Sequence, residues 1–220
     1  MLAEPKGLSQ PGFFISLEGI EGTGKSTQAS LLAERLSKYG VDVLLTREPG
    51  GTVIGNRIRD ILLLPDHAEM SAVTELLLYN AARSQLLAEK ILPALKKGKT
   101  VITDRFSDST FAYQGYGRSI DMGLISSLDR IATGGLRPDV TLLLDLDIET
   151  GLTRNRSANK IDRIELEDIE FHRRVSEGFR ELEKKEPDRI KIIDASASIE
   201  EITETAWRIV IDEMRKRGLL

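Results

Sequence analysis

Short apolar runs alternate with longer stretches of helical period along this chain. Residues 13–17 (FFISL), 41–46 (VDVLLT), 99–103 (KTVIT), 140–146 (VTLLLDL) and 190–193 (IKII) are rich in β-branched, leucine or aromatic residues and predict five strands. Helical patterns fill the gaps at 26–39, 71–97, 122–133, 168–186 and 199–217. Strands that read as nearly continuous apolar runs, with helices between them, indicate an α/β fold with a parallel sheet covered on both faces. Ligands of such sheets bind beyond the carboxyl ends of the strands. The segments that follow each run are therefore where chemistry is sought. In helix 71–97 apolar residues crowd more than one face, which predicts burial on two sides, by the sheet and by a partner subunit.

After the first run comes Gly19-Ile20-Glu21-Gly22-Thr23-Gly24-Lys25-Ser26, a match to G-x-x-x-x-G-K-[ST] with strand before and helix after. Glycines let such a loop wrap a phosphate with backbone N–H groups pointing inward. Lys25 adds a mobile positive charge, and the Ser26 hydroxyl is placed for Mg²⁺. The helix N-terminus adds partial positive charge at the same point. The expected architecture is a P-loop NTPase-type three-layer α/β/α fold with a five-stranded parallel sheet and a small lid.

Composition narrows the rest. At 220 residues the chain is one domain with a short polar extension, residues 1–12. The first residues carry no apolar core of a signal peptide, and no apolar run is long enough to span a bilayer. Zero cysteines exclude disulfides and thiolate metal sites. A net charge of −4 provides no general attraction to nucleic acid or anionic membrane. A cytoplasmic protein without nucleic-acid or membrane partners is expected.

Other segments carry candidate chemistry. Arg47-Glu48-Pro49-Gly50-Gly51-Thr52 follows the second run; alone, it also fits a strand-end loop with an ion pair, the less favoured reading. Arg57 and Arg59 fall on a short helix leading to Leu62-Leu63-Leu64, and Tyr79 and Arg83 share a helix face. After the third run, Asp104-Arg105 is followed by Ser107, Ser109, Thr110, Tyr113 and Gln114. Asp104 has the position of a Walker-B-type acid beside Mg²⁺, though a strand-end ion pair with Arg105 fits the same two residues. Residues 154–163 (RNRSANKIDR) are locally basic in an acidic chain. They form either a solvated loop or a lid that carries arginines over phosphates and excludes water.

Taken together, LEGIEGTGKSTQ, TREPGGT, ELLLYNAARSQ, TDRFSDSTFAYQGYGR and RNRSANKIDRIE resemble the thymidylate kinase family, of the bacterial type whose lid rather than P-loop bears arginine, over nearly all of the chain after residue 12. The resemblance implies transfer of the ATP γ-phosphate to dTMP, Mg²⁺ dependence and a homodimer. It implies that Gly19, Ile20, Glu21, Gly22, Thr23, Gly24, Lys25, Ser26 and Thr27 hold ATP, and that Ser26 and Asp104 serve the metal. Glu21 would approach the acceptor's 3′-hydroxyl, Arg105 its phosphate, Glu48 its sugar and phosphate, and Arg59 the monophosphate side. Tyr79, where phenylalanine is usual, would stack on the base. Arg83, Thr110 and Gln114 would read the pyrimidine edge, and Tyr113 would disfavour ribose. Arg154, Arg156 and Arg163 would act from a lid at about 152–167, where Ala158 replaces a third clustered arginine of some relatives. Two rivals remain: a kinase of the same fold with another acceptor, and a P-loop switch that hydrolyses nucleotide.

Overall fold

Alternate side chains of a strand point to opposite faces, and in β1 (Phe13–Glu18) both faces are buried. Phe13, Ile15 and Leu17 pack into one apolar core, while Phe14 packs into another on the far side. The computed structural model describes residues 12–157 and 162–220. The remaining strands are β2 (Val43–Arg47), β3 (Thr100–Asp104), β4 (Val140–Asp145) and β5 (Ile190–Asp194). Every pairing is parallel, in the order β2-β3-β1-β4-β5. One face is covered by α1 (Lys25–Lys38) and by α9 (Ile199–Lys216), which opens on a Ser198/Glu201 capping box. The other is covered by α3 (Ala72–Leu86) with α4 (Leu92–Lys96), and by α8 (Ile169–Lys185).

The expected α/β architecture is present, and its departures from the sequence reading have physical causes. Three strands, β1, β3 and β5, run one residue past the apolar run, to Glu18, Asp104 and Asp194, and β2 likewise ends on Arg47. The backbone ladder does not depend on side-chain polarity, so polar residues end up at the carboxyl edge, where ligands bind. Helix 71–97 is not one α-helix. A π-turn, Leu87–Ile91, separates α3 from α4 just before Pro93, which has no N–H to continue an α-helical ladder. Residues after β3, given no secondary structure from the sequence, are helical: α5 (Ser107–Thr110) and a π-turn at Phe111–Gly117. The basic segment begins inside a helix, α7 (Ile148–Ser157). Asp147 caps it by accepting from the Thr150 N–H at 3.0 Å. Between β2 and α3 lies α2 (Val53–Leu63), and α6 (Met122–Thr133) precedes β4.

Strand order reverses direction at β1, with β3 on one side and β4 on the other. That switch point opens a crevice above the carboxyl ends. Among the described residues no helix is long and apolar enough to cross a membrane.

Candidate active site

The loop after β1 fills the switch point. Gly22 adopts φ 73°, and a Cβ there would stand 2.0 Å from the Gly151 carbonyl oxygen. Reciprocally, a Cβ on Gly151 would stand 2.5 Å from the Glu21 carbonyl oxygen, so two glycines let α7 and the loop touch. Lys25 Nζ donates to the Ile20 carbonyl at 2.6 Å and to Thr23 Oγ1 at 3.2 Å. Burial, and then the neighbouring Arg105 charge, lower its pKa to about 8. The Ser26 hydroxyl donates to Asp104 Oδ2 in a short contact. A hydroxyl and a carboxylate side by side form the hard oxygen set that suits Mg²⁺, so the residues fit the implied metal.

Arg105 is the hub. Its backbone lies in the left-handed region at φ 71°, unusual for a residue with a side chain. Nη1 donates to the Gly19 carbonyl (2.9 Å) and Ser109 Oγ (3.0 Å); Nη2 donates to Glu21 Oε1 and Tyr113 Oη, both at 3.0 Å. Tyr113 Oη in turn donates to Glu21 Oε1 at 2.6 Å. Burial opposes both charges, but their neighbours outweigh it: Arg105 and then Lys25 hold Glu21 below the usual carboxylate range, and Tyr113 and then Glu21 hold Arg105 above the usual guanidinium value.

The turn that carries Arg105 is fastened from below by Glu18, which accepts from the Phe106 N–H (2.7 Å) and Ser109 Oγ (2.5 Å). Burial, and then the Asp108 charge, push Glu18 up to about 8. The folded chain therefore holds a proton that the unfolded chain releases near ~4.3. This contribution to stability is complete at low pH and is lost as pH rises through about 8. Glu18→Gln, which stays neutral, is expected to gain on the wild type in urea-unfolding midpoint as pH rises, levelling off above that value. A midpoint difference constant from about pH 5 to pH 9 would contradict a protonated Glu18.

The opposite wall of the cleft, which encloses about 610 Å³, comes from the β2–α2 loop, α2, α3 and the π-turn after α5. Arg83 is fully buried: Nε donates to Glu48 Oε2 (2.7 Å), Nη1 to Thr110 Oγ1 (2.8 Å) and Nη2 to the Phe106 carbonyl (3.0 Å). Glu48 is pushed up to about 7 by burial against the opposing pull of Arg83, and its Oε1 has no partner among the described residues. Gln114 Nε2 donates to Glu75 Oε1 at 2.8 Å, and Arg59 Nη1 to the Pro49 carbonyl at 3.0 Å. Tyr79 faces the same space.

The cleft thus gathers Glu21, Gly22, Gly24, Lys25, Ser26, Thr27, Glu48, Arg59, Tyr79, Arg83, Asp104, Arg105, Thr110, Tyr113, Gln114 and Arg154. Gly19, Ile20 and Thr23 stand behind it; the carbonyls of the first two accept from Arg105 and Lys25. Arg163 departs from the expectation of a lid arginine over the phosphates. It is 4% exposed, absent from the cleft wall, ion-paired to Glu75, and donates Nε to the Leu62 carbonyl at 3.0 Å. Glu75 also takes Arg118 at 3.0 Å, so Arg163 ties the segment after α7 to α3. Arg154 lines the cleft and donates to the Ala195 carbonyl at 3.1 Å. The side chain of Arg156, and Ala158, lie outside the described residues. The two arginines are expected to fail differently. Arg163→Ala should lower unfolding stability by about 1–3 kcal/mol with kcat little changed. Arg154→Ala should lower kcat by about 10²-fold with stability unchanged. Equal kcat losses in both would contradict this division.

Sequence reasoning missed Glu18, Glu75 and Arg118. Glu18 had a visible signal, an acid adjoining an apolar strand. The others are supports that only the packing of helices brings to the site.

Comparison with known proteins agrees with this geometry. The family model for thymidylate kinase matches residues 17–206. A thymidylate kinase of Syntrophotalea carbinolica is 48% identical over 201 residues, covering 89% of this chain and 93% of the relative. One of an Exiguobacterium species is 47% identical, covering 94% and 98%. The crystal structure of thymidylate kinase from Ehrlichia chaffeensis superposes with a TM-score of 0.74 at 38% identity, covering 91% of this chain and 99% of that one. With the P-loop, the Arg105 hub and the pocket wall converging in one cleft, the chain belongs to the thymidylate kinase family.

Proposed function

We propose that this chain transfers the γ-phosphate of ATP to dTMP, giving ADP and dTDP, by direct in-line attack with Mg²⁺. The observation that carries the reading is that Arg105 joins the P-loop acid Glu21 to the pocket wall through Tyr113. Donor and acceptor phosphates are thereby expected to meet between Lys25 and Arg105. The acceptor is already an anion, so no strong base is required; positioning and charge neutralisation supply the rate. Lys25 and Arg154 would face the transferred phosphate. Arg59 and Arg105 would hold the acceptor phosphate, with Glu48 beneath. Ser26 and Asp104 would hold Mg²⁺, which when bound neutralises phosphate charge.

Tyr79 offers a stacking face to the base, and Arg83, Thr110 and Gln114 offer hydrogen bonds to its edge. Tyr113 fills the space beside the sugar. Residues 13–220 form a single domain, with a lid at about 152–167 closing from above. The cytoplasm is its compartment. A homodimer is supported by apolar residues left in the open on neighbouring helices: Val53 of α2 and Ile131 of α6 are each 79% exposed, with Val73 and Leu77 of α3 between them.

Acceptor preference tests the reading. Thymine and uracil differ by one methyl, worth ~1–3 kcal/mol in a pocket. Turnover should therefore be highest with dTMP, roughly 10- to 200-fold weaker in kcat/KM with dUMP, and far weaker with dCMP or dGMP. A best acceptor outside the thymine–uracil pair would overturn the assignment.

A further inference from the structure

His172, in the first turn of α8, is 1% exposed, and neither ring nitrogen has a hydrogen-bond partner among the described residues. An imidazole carries at least one N–H, and burying it unbonded is costly. Its Nδ1 faces Glu21 Oε2 at 3.8 Å. That oxygen is also buried and without a partner, although Oε1 of the same carboxylate accepts from both Arg105 and Tyr113. A missing acceptor and a missing donor thus stand opposite each other. An N–H···O bond needs ~2.7–3.2 Å, so a movement of under about 1 Å joins them.

The two residues lie on parts of the chain whose relative position matters to the site. Glu21 belongs to the P-loop. α8 follows the segment held by Arg163 and packs along the π-turn that carries Tyr113 and Gln114. We propose that His172 is a positioning residue: its Nδ1–H donates to Glu21 Oε2 when the cleft is loaded, fixing the carboxylate against Arg105 and the acceptor. This rests on the reading of Glu21 as a group that faces the acceptor. Glu21 is otherwise held at one oxygen only, and an anchor at each oxygen leaves the carboxylate a single orientation. A histidine serving only as packing would do as well with phenylalanine in its place.

The test compares His172→Phe, which keeps a ring and removes the donors, with His172→Asn, whose amide N–H lies near the Nδ1 position. Each is made in the wild type and in Glu21→Gln, and kcat and KM are measured for ATP and dTMP. His172→Phe is expected to lower kcat about 10-fold with the KM for ATP unchanged. Asparagine should recover most of that loss, and His172→Phe should have little further effect beside Glu21→Gln. Wild-type turnover of dTMP in the same series reports separately on the kinase reading. The chain has only two histidines, so ¹⁵N-imidazole NMR of the unmodified protein isolates His172. With both nucleotides bound, an Nδ1–H resonance that shifts on Glu21→Gln supports the bond. A purely Nε2–H tautomer, or equal losses from His172→Phe in both backgrounds, would overturn it.

Discussion

Lys25→Ala is expected to lower kcat by ~10³–10⁵-fold, the scale seen when a cation that neutralises transferring phosphate is lost. The ammonium is buried at the N-terminus of α1, donating to the Ile20 carbonyl and Thr23 Oγ1. A charge held in place before the ligand arrives needs little reorganisation during reaction, and a site with little water screens it weakly. Both features make it worth more to the transition state than an exposed lysine would be. They also carry a cost: burial and Arg105 lower its pKa to about 8. The free enzyme therefore loses this charge as pH rises through about 8, and kcat/KM for ATP should fall across that range. Removing a desolvated cation should not lower the unfolding midpoint. A variant that binds and turns over ATP normally would show that the loop holds phosphate without its lysine.

Arg105→Ala should cost nearly as much, through a different route. Truncating one partner of a buried, hydrogen-bonded charge pair costs ~2–5 kcal/mol, roughly 30-fold to several thousand-fold in kcat/KM. Here the loss leaves Glu21 with Tyr113 alone on Oε1 and removes the donor to the Gly19 carbonyl and to Ser109 Oγ, which keeps its own bond to Glu18. Arg105→Lys is expected to rescue little, because one ammonium cannot reproduce a planar fork that reaches four partners. On the proposed role of Arg105 at the acceptor phosphate, the KM for dTMP should rise more than that for ATP. Equal increases in both would place its role in the loop's folding instead. Arg105 also sits at φ 71°, a conformation a side chain adopts at a cost of ~1–3 kcal/mol. Glu18, fastened to Phe106 N–H and Ser109 Oγ, is the group that holds the neighbouring turn against that strain.

Much of this was legible in the chain itself. The P-loop could be read because its chemistry demands glycines and a lysine at fixed spacing. Asp104 and Arg105 could be read because a charged pair at the end of an apolar run falls where parallel sheets bind ligands. Arg163 could not. A basic, glycine-free segment predicts arginines near phosphate, but the sequence does not say that Glu75, on a helix nearly ninety residues earlier, lies close enough to capture one of them. Helix α7 was hidden for a related reason: its apolar residues are few, so the period was weak, and the Asp147 cap was the only local mark of its start. Glu75 and Arg118 hold partners that packing alone supplies. Their identities carry no sequence pattern; only the fold brings them beside Gln114 and Arg163.

The measurement that bears most directly on the kinase assignment is the rate of ADP release from ATP and Mg²⁺ with and without dTMP, with dTDP quantified in the same samples. A site built from Lys25, Arg105 and the pocket wall should release ADP and form dTDP in equal amounts, with negligible release when dTMP is withheld. ADP release at the same rate without dTMP, and no dTDP, would contradict it and identify a nucleotide-hydrolysing switch in its place.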